Sequence, residues 1–299
     1  MCGIVGIFLK DPALEGELGS MLASMLCVMT DRGPDSAGFA VYGSGAKDKV
    51  KLSLRAAKDY DFSALAAGLS IPADGMPALT VRSTHAIIDI PAAREAEVRA
   101  FLAARHPEVA VVGTGARMEI FKEVGLPASV ADTFGLAKMA GTHGIGHTRM
   151  ATESAVTTAG AHPFSTGADQ CLVHNGSLSN HNQLRRLLKR EGIAFETEND
   201  SEVAAGYLTW RLKQGASLGE ALEAGLKDLD GFYTFVVGTE NGFGVLRDPV
   251  ACKPAVMAET DQYVAFGSEY RALVDLPGIE KARVFEPEPA TVYFWERAQ

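Results

Sequence analysis

Of the 299 residues only four are cysteine, at positions 2, 27, 171 and 252. No two of them form a CxxC pair or a closely spaced cluster, so the sequence offers no ligand set for structural zinc or an iron–sulfur centre. Buried inert thiols are the default reading for three of the four, and Cys2 stands apart by its position. Basic clusters are also lacking. With a formal net charge of −9 and no face rich in Lys or Arg, a phosphate-neutralising surface for nucleic acid is excluded. Short runs such as Arg185-Arg186 and Lys189-Arg190 read as the solvated side of a helix. No apolar run reaches the ~20 residues that span a bilayer. The opening MCGIVGIFLKD has neither a basic leader nor a small-residue cleavage site, so a cytoplasmic location and no membrane contact are the expectation. Internal repeats and low-complexity linkers are absent as well.

What remains is a globular composition, 47% hydrophobic, long enough for one large domain or two ordinary ones. The apolar run Ile4 to Leu9 suits a buried strand. Leu14, Leu18, Met21, Leu22, Met25, Leu26 and Met29 recur at helical spacing. Asp31 to Gly33 with Pro34 ends that helix, and Ala37 to Tyr42 reads as a second strand before the turn Gly43-Ser44-Gly45. From about 46 to 141 the character changes. Leu79 to Ile90 reads as a strand, Pro91 to Ala104 as a helix and Val109 to Gly113 as a strand, which together suggest a small α/β insertion. Strands are expected at Gly144 to Arg149 and Cys171 to His174, and helices at Asn180 to Glu191 and Asp200 to Gln214. The last third reads as a β-meander over Phe232 to Gly238, Phe243 to Arg247, Ala255 to Glu259 and Tyr263 to Gly267, with a final strand near Thr291 to Trp295. The fold class is α+β, layered, interrupted by the insertion.

Cys2 is followed by a small residue, and removal of Met1 before such a residue leaves a thiol beside a free α-amine. An α-amine of pKa about 7.7 to 8 can accept the proton of a thiol of pKa about 8.5. Alone, a cysteine in second place is more often an inert thiol.

Read together, MCGIVGIF (1–8), DRGPDSAG (31–38), GIGHTRMAT (144–152), AHPF (161–164), HNGSLSNHNQLR (174–185) and NDSEV (199–203) resemble the class II glutamine amidotransferases, the family with an N-terminal nucleophile. The resemblance covers nearly the whole chain outside the insertion. It implies an N-terminal-nucleophile hydrolase fold, a four-layer αββα sandwich, over 1–299 with the insertion at about 46–141. It further implies that Cys2 attacks the side-chain amide of glutamine to give a γ-glutamyl thioester that water hydrolyses. Asn175 and Gly176 match the oxyanion donors, and Arg149 and Asp200 match the residues holding the α-carboxylate and α-ammonium. Thr152 and His162 match pocket positions, and Arg32 matches the arginine supporting the nucleophile loop. His147 and His174 are expected to orient or pack, because the α-amine already supplies a base. Taken alone, Arg149 also suits a surface ion pair, Asp200 a helix cap and HNG a strand-end turn. The sequence departs from the sugar-phosphate branch of the family at Glu153, often His there, and at Met150, often Trp.

RDPVACKP (247–254) and FGSEYRAL (266–273) resemble later motifs of the same domain, and nothing resembles an ammonia-consuming synthase. The opening, the TDRGPDSAG run and the insertion together are similar to the amidotransferase-type subunit of N-methylglutamate synthase. That resemblance implies no cofactor in this chain, a hetero-oligomer with synthase subunits carrying FMN and an iron–sulfur cluster, and formation of N-methylglutamate from glutamate and methylamine. The substrate would be glutamine or an N-substituted γ-glutamyl amide. Two other readings compete: a stand-alone N-terminal-nucleophile amide hydrolase, and a catalytically weak glutamine-binding subunit.

Overall fold

The computed structural model describes residues 2–69, 77–151 and 155–297. The chain opens with β1 (Gly3–Leu9), α1 (Leu18–Val28) and β2 (Ser36–Tyr42). Next come β3 (Lys49–Arg55), α2 (Phe62–Gly68), β4 (Ala78–Arg82), β5 (His85–Pro91), α3 (Glu95–Arg105) and β6 (Ala110–Gly115). The middle holds β7 (Met118–Val124), α4 (Pro127–Phe134), β8 (His143–Arg149), β9 (Phe164–Gly167), β10 (Gln170–Leu178), α5 (His181–Arg190), α6 (Asp200–Lys213) and α7 (Leu218–Asp228). Strands β11 (Gly231–Gly238), β12 (Gly242–Arg247), β13 (Val256–Glu259), β14 (Tyr263–Gly267), β15 (Arg283–Phe285) and β16 (Thr291–Glu296) complete it.

Two sheets stack face to face. One runs β15-β13-β14-β1-β8-β2-β7 and the other β16-β12-β11-β10-β9. Period-two alternation explains why both are buried on two sides. In β1, Ile4 and Phe8 enter the layer between the sheets with Val173, Val236 and Phe243. Its Val5, Ile7 and Leu9 face the other way, onto Leu22 and Leu26 of α1 and Phe134 of α4. Likewise Phe235 and Val237 of β11 meet Leu184, Leu208 and Leu222 of α5, α6 and α7. Helices cover both outer faces, giving the αββα sandwich of an N-terminal-nucleophile hydrolase.

The third sheet, β4-β5-β3-β6, has its own core around Leu52, Leu54, Phe62, Ile88 and Leu102. This sheet lies within the stretch read as an insertion, but the sandwich resumes well before residue 141. β7 pairs with β2 along its full length, and Val130, Ala131 and Phe134 of α4 pack into the main core. The return is fixed by Asp169, whose carboxylate accepts the N–H groups of Ala116, Arg117 and Met118 at 2.6, 2.9 and 2.9 Å. The span read as one strand from Leu79 to Ile90 is a hairpin instead. Its turn places Ser83 at φ +54°, a conformation serine seldom signals.

Candidate functional site

The first residue of the site, Cys2, is set by β1, which begins directly after it and pairs antiparallel with β8 and β14. The Cys2 thiol is half-buried. Its carbonyl oxygen accepts two hydrogen bonds from opposite parts of the chain, Arg32 Nε at 3.0 Å and Asn175 Nδ2 at 3.2 Å. Arg32 is buried and also donates from Nη1 to Glu269 at 2.7 Å, and this guanidinium holds the Glu269 carboxyl below its usual range. Gly33 lets the Arg32 loop lie against the end of β8: a Cβ there would sit 2.4 Å from Arg149 N and from Thr148 C.

Asn175 and Gly176 lie in β10 opposite Thr234 and Tyr233 of β11. Gly176 has φ +147°, and a Cβ would come within 2.0 Å of Phe232 O, so only glycine fits. One N–H of the Asn175 amide is used on Cys2 O; an amide has two such protons, which leaves the other for a ligand oxygen.

Asp200 opens α6, but the helix cap is its neighbour: Asn199 accepts from Ser201 N at 2.8 Å. The Asp200 carboxylate instead takes the N–H of Leu178 at 2.9 Å on Oδ2, tying the helix start to the end of β10. The loop before it is shaped by buried charges. Glu202 accepts from Glu196 N, Thr197 N and Thr197 Oγ1 at 2.8, 2.8 and 2.7 Å. Arg185 donates to the carbonyls of Thr197 and Asn199. Read from sequence as part of a solvated face, Arg185 is 5% exposed, because those carbonyls need donors that water cannot reach.

Three histidines form the wall behind Asp200. His147 and His162 stack with ring centroids 3.9 Å apart, and His147 Nε2 donates to His174 O at 3.0 Å, since a carbonyl can only accept. His162 Nε2 and His174 Nδ1 each lie 2.9 Å from Ser201 Oγ. Burial pushes His147 down to about 3 and His174 down to about 4, and lowers His162 well below the ordinary histidine value. Burial thus favours the neutral form of all three rings. The loop carrying His162 is anchored by buried Lys122 of β7, whose Nζ donates to the carbonyls of Ala159, Ala161 and Pro163 at 3.2, 2.8 and 3.4 Å. Burial pushes that amine down to about 8.

A cleft of about 820 Å³ gathers these parts, lined by Cys2, Arg149, His162, Asn175, Gly176 and Asp200 among others. Arg149, at the end of β8, is 8% exposed and so is a buried side chain of the cleft wall rather than a surface one. Thr152 and Glu153 lie outside the described residues; Met150, partly exposed, lines the cleft. Among the described residues, no three His, Cys, Asp or Glu side chains gather to hold a metal ion, and no helix is long and apolar enough to cross a membrane.

A profile described as the glutamine amidotransferase domain matches residues 147–275. Over 298 residues, covering 99% of this chain and 98% of the relative, the sequence is 66% identical to "Glutamine amidotransferase-like protein GlxB" of Rhizobium meliloti. The chain belongs to the class II glutamine amidotransferase family. The glutamine–fructose-6-phosphate aminotransferase of Vibrio vulnificus is 39% identical over 133 residues, 44% of this chain and 22% of that protein. The glutamine phosphoribosylpyrophosphate amidotransferase structure from B. subtilis superposes with a TM-score of 0.61 at 20% identity, covering 99% of this chain and 47% of that one. The matched stretches thus span about a fifth of the first of these larger proteins and about half of the second.

Within the amidotransferase frame, Ser201, His174 and Lys253 are cleft residues that motif reading left without a substrate-facing role. Lys253 projects over the Phe232 ring, 5.0 Å from its centroid. Ser201 had a signal, since it follows Asp200 directly and so shares its helix start. Lys253 had little, being placed by Arg247, which donates to the carbonyls of Ala251 and Lys253 at 2.9 and 3.2 Å.

Proposed function

We propose that this chain is the glutaminase component of an amidotransferase, with Cys2 as the nucleophile once Met1 has been removed. What carries the reading is one cleft that brings Cys2 together with Asn175, Gly176, Arg149 and Asp200 from four separate segments of the chain. The α-amine of processed Cys2 takes the thiol proton. The thiolate attacks the side-chain amide carbon of glutamine, and the oxyanion is received by Asn175 Nδ2 and the Gly176 N–H. Collapse breaks the C–N bond; the nitrogen takes the proton back from the α-ammonium and leaves as ammonia, or as an amine from an N-substituted γ-glutamyl amide. Water then attacks the thioester, the amine again taking a proton, and glutamate and the free thiol result. Arg149 holds the α-carboxylate through its fork and Asp200 the α-ammonium, so opposite ends of the substrate meet opposite charges. Arg32 fixes the Cys2 carbonyl and His162 shapes the wall; Thr152 matches a pocket position of the family by sequence alone.

The released amine goes to a partner synthase subunit, in N-methylglutamate synthesis, where FMN and iron–sulfur chemistry belong to the partners. Support for this finer assignment is the resemblance of the opening, the TDRGPDSAG run and the insertion to that family's amidotransferase-type subunit. The test is release of glutamate from glutamine, measured with and without candidate synthase subunits. Cys2→Ala abolishes it, and Arg149→Lys raises KM while keeping the charge. Release that persists in Cys2→Ala overturns the proposal.

A further inference from the structure

Three buried rings and one hydroxyl set up a proton-counting problem beside Asp200. Ser201 is 2% exposed, His162 5% and His174 3%. Ser201 Oγ lies 2.9 Å from His162 Nε2, 2.9 Å from His174 Nδ1 and 3.4 Å from Asp200 Oδ1. The opposite ring nitrogens, His162 Nδ1 and His174 Nε2, have no hydrogen-bond partner among the described residues, and neither does His147 Nδ1.

A neutral imidazole carries one proton, and a serine hydroxyl donates once and accepts twice. If either His162 or His174 carried its proton on the unpartnered nitrogen, a buried N–H would be left without an acceptor, an arrangement folded proteins avoid. One assignment leaves no such N–H: His162 Nε2–H and His174 Nδ1–H both donate to Ser201 Oγ. The hydroxyl proton then has a single remaining acceptor, Asp200 Oδ1. The other Asp200 oxygen is already held by Leu178 N–H.

We propose that Ser201 is a positioning residue for substrate binding, gathering two imidazole N–H donors and passing one hydrogen bond to Asp200 so that this carboxylate is aimed at the ammonium end of the substrate. The inference rests on the amidotransferase reading of Asp200. Ser201 touches no reacting atom; it acts through Asp200, and its loss frees both rings as well as one carboxylate oxygen.

The test uses the full chain with Cys2→Ala to stop turnover. Calorimetric affinities are measured for glutamine and for 4-carbamoylbutanoate, which keeps the amide and the carboxylate but lacks the α-amino group. With Ser201 present, glutamine binds more tightly than the desamino compound. Ser201→Ala weakens glutamine by roughly ten-fold and leaves the desamino compound unchanged, which also shows that the variant is folded. In the chain with Cys2 intact, the same substitution raises KM for glutamine with kcat little changed. Equal weakening of both ligands, or of neither, overturns the role of Ser201 while leaving the amidotransferase reading in place. If the parent shows no preference for glutamine over the desamino compound, the reading of Asp200 itself fails, and this inference with it.

Discussion

The Cys2 carbonyl is held by two donors that reach it from opposite sides, and removing them singly and together gives a sharp test. Arg32→Met keeps the apolar stem and deletes a charged donor at 3.0 Å. Asn175→Ala deletes a neutral one at 3.2 Å. The first costs about 2 kcal/mol and the second about 1, in line with charged and neutral hydrogen bonds. Glu269 keeps Arg271 after Arg32 is gone and is one-third exposed, so that ion pair adds little. In each single variant the carbonyl retains one partner. Only the double variant orphans it, so an extra penalty of about 1 to 2 kcal/mol appears beyond the sum. Urea unfolding at constant m-value measures all four proteins. A double variant that equals the sum within about 0.5 kcal/mol refutes the shared-carbonyl geometry. Glutamine hydrolysis separates the two residues further. Asn175→Ala loses about 100- to 1,000-fold in kcat if its second N–H serves the oxyanion, whereas Arg32→Met loses much less; equal losses point to a purely structural Asn175.

Gly33→Ala places a methyl 2.4 Å from the β8 backbone at an extended φ of −157°; crowding alone therefore destabilises it, by about 1 to 3 kcal/mol. Gly16→Ala, with nothing within 4 Å, stays within about 0.5 kcal/mol, and thermal unfolding that ranks the two alike contradicts the packing described. Acid provides a separate check. Burial pushes His85, His143 and His147 down to about 3 and His174 to about 4. Below the ordinary value of 6.5 the unfolded chain binds protons that the folded chain refuses, so stability is full above pH 6.5 and falls as pH drops toward those lower values. Each histidine contributes about 1 kcal/mol of loss between pH 6.5 and 5.5. Unfolding free energy that is flat over that interval shows that the rings are not buried neutral.

The motifs around the cleft were readable because each is a short run whose chemistry sits on neighbouring residues: Asn175 beside Gly176, Asp200 after Asn199, Arg149 at the end of the GIGHTR run. Strands β1, β11 and β14 were readable as short apolar runs set off by turn signals, while the four layers followed from the family resemblance. Legibility failed where tertiary contacts decide. Nothing local marks Ser83 as a left-handed turn residue, so the β4–β5 hairpin looked like one strand. β7 and α4 looked like part of the insertion because their partners, β2 and α1, lie far back in the chain. Helix α7 went unread although Ser217 and Glu220 form a capping box, a signal that was present. Arg185 and Lys122 are charges whose burial follows from carbonyls supplied by distant loops, and no pattern of spacing announces them. Ser201 is marked locally only by following Asp200 at the helix start, and its contacts with His162 and His174 come from distant parts of the chain.

The central claim is that Cys2 is a nucleophile in a glutamine-shaped cleft. Intact-mass spectrometry of the purified chain, before and after exposure to a glutamine-like alkylating analogue, tests it most directly, with Cys2→Ala alongside. The expected result is a chain lacking Met1 that gains one adduct, and a variant that gains none. A chain that retains Met1, or one that is processed yet gains no adduct or gains it equally in Cys2→Ala, contradicts the claim.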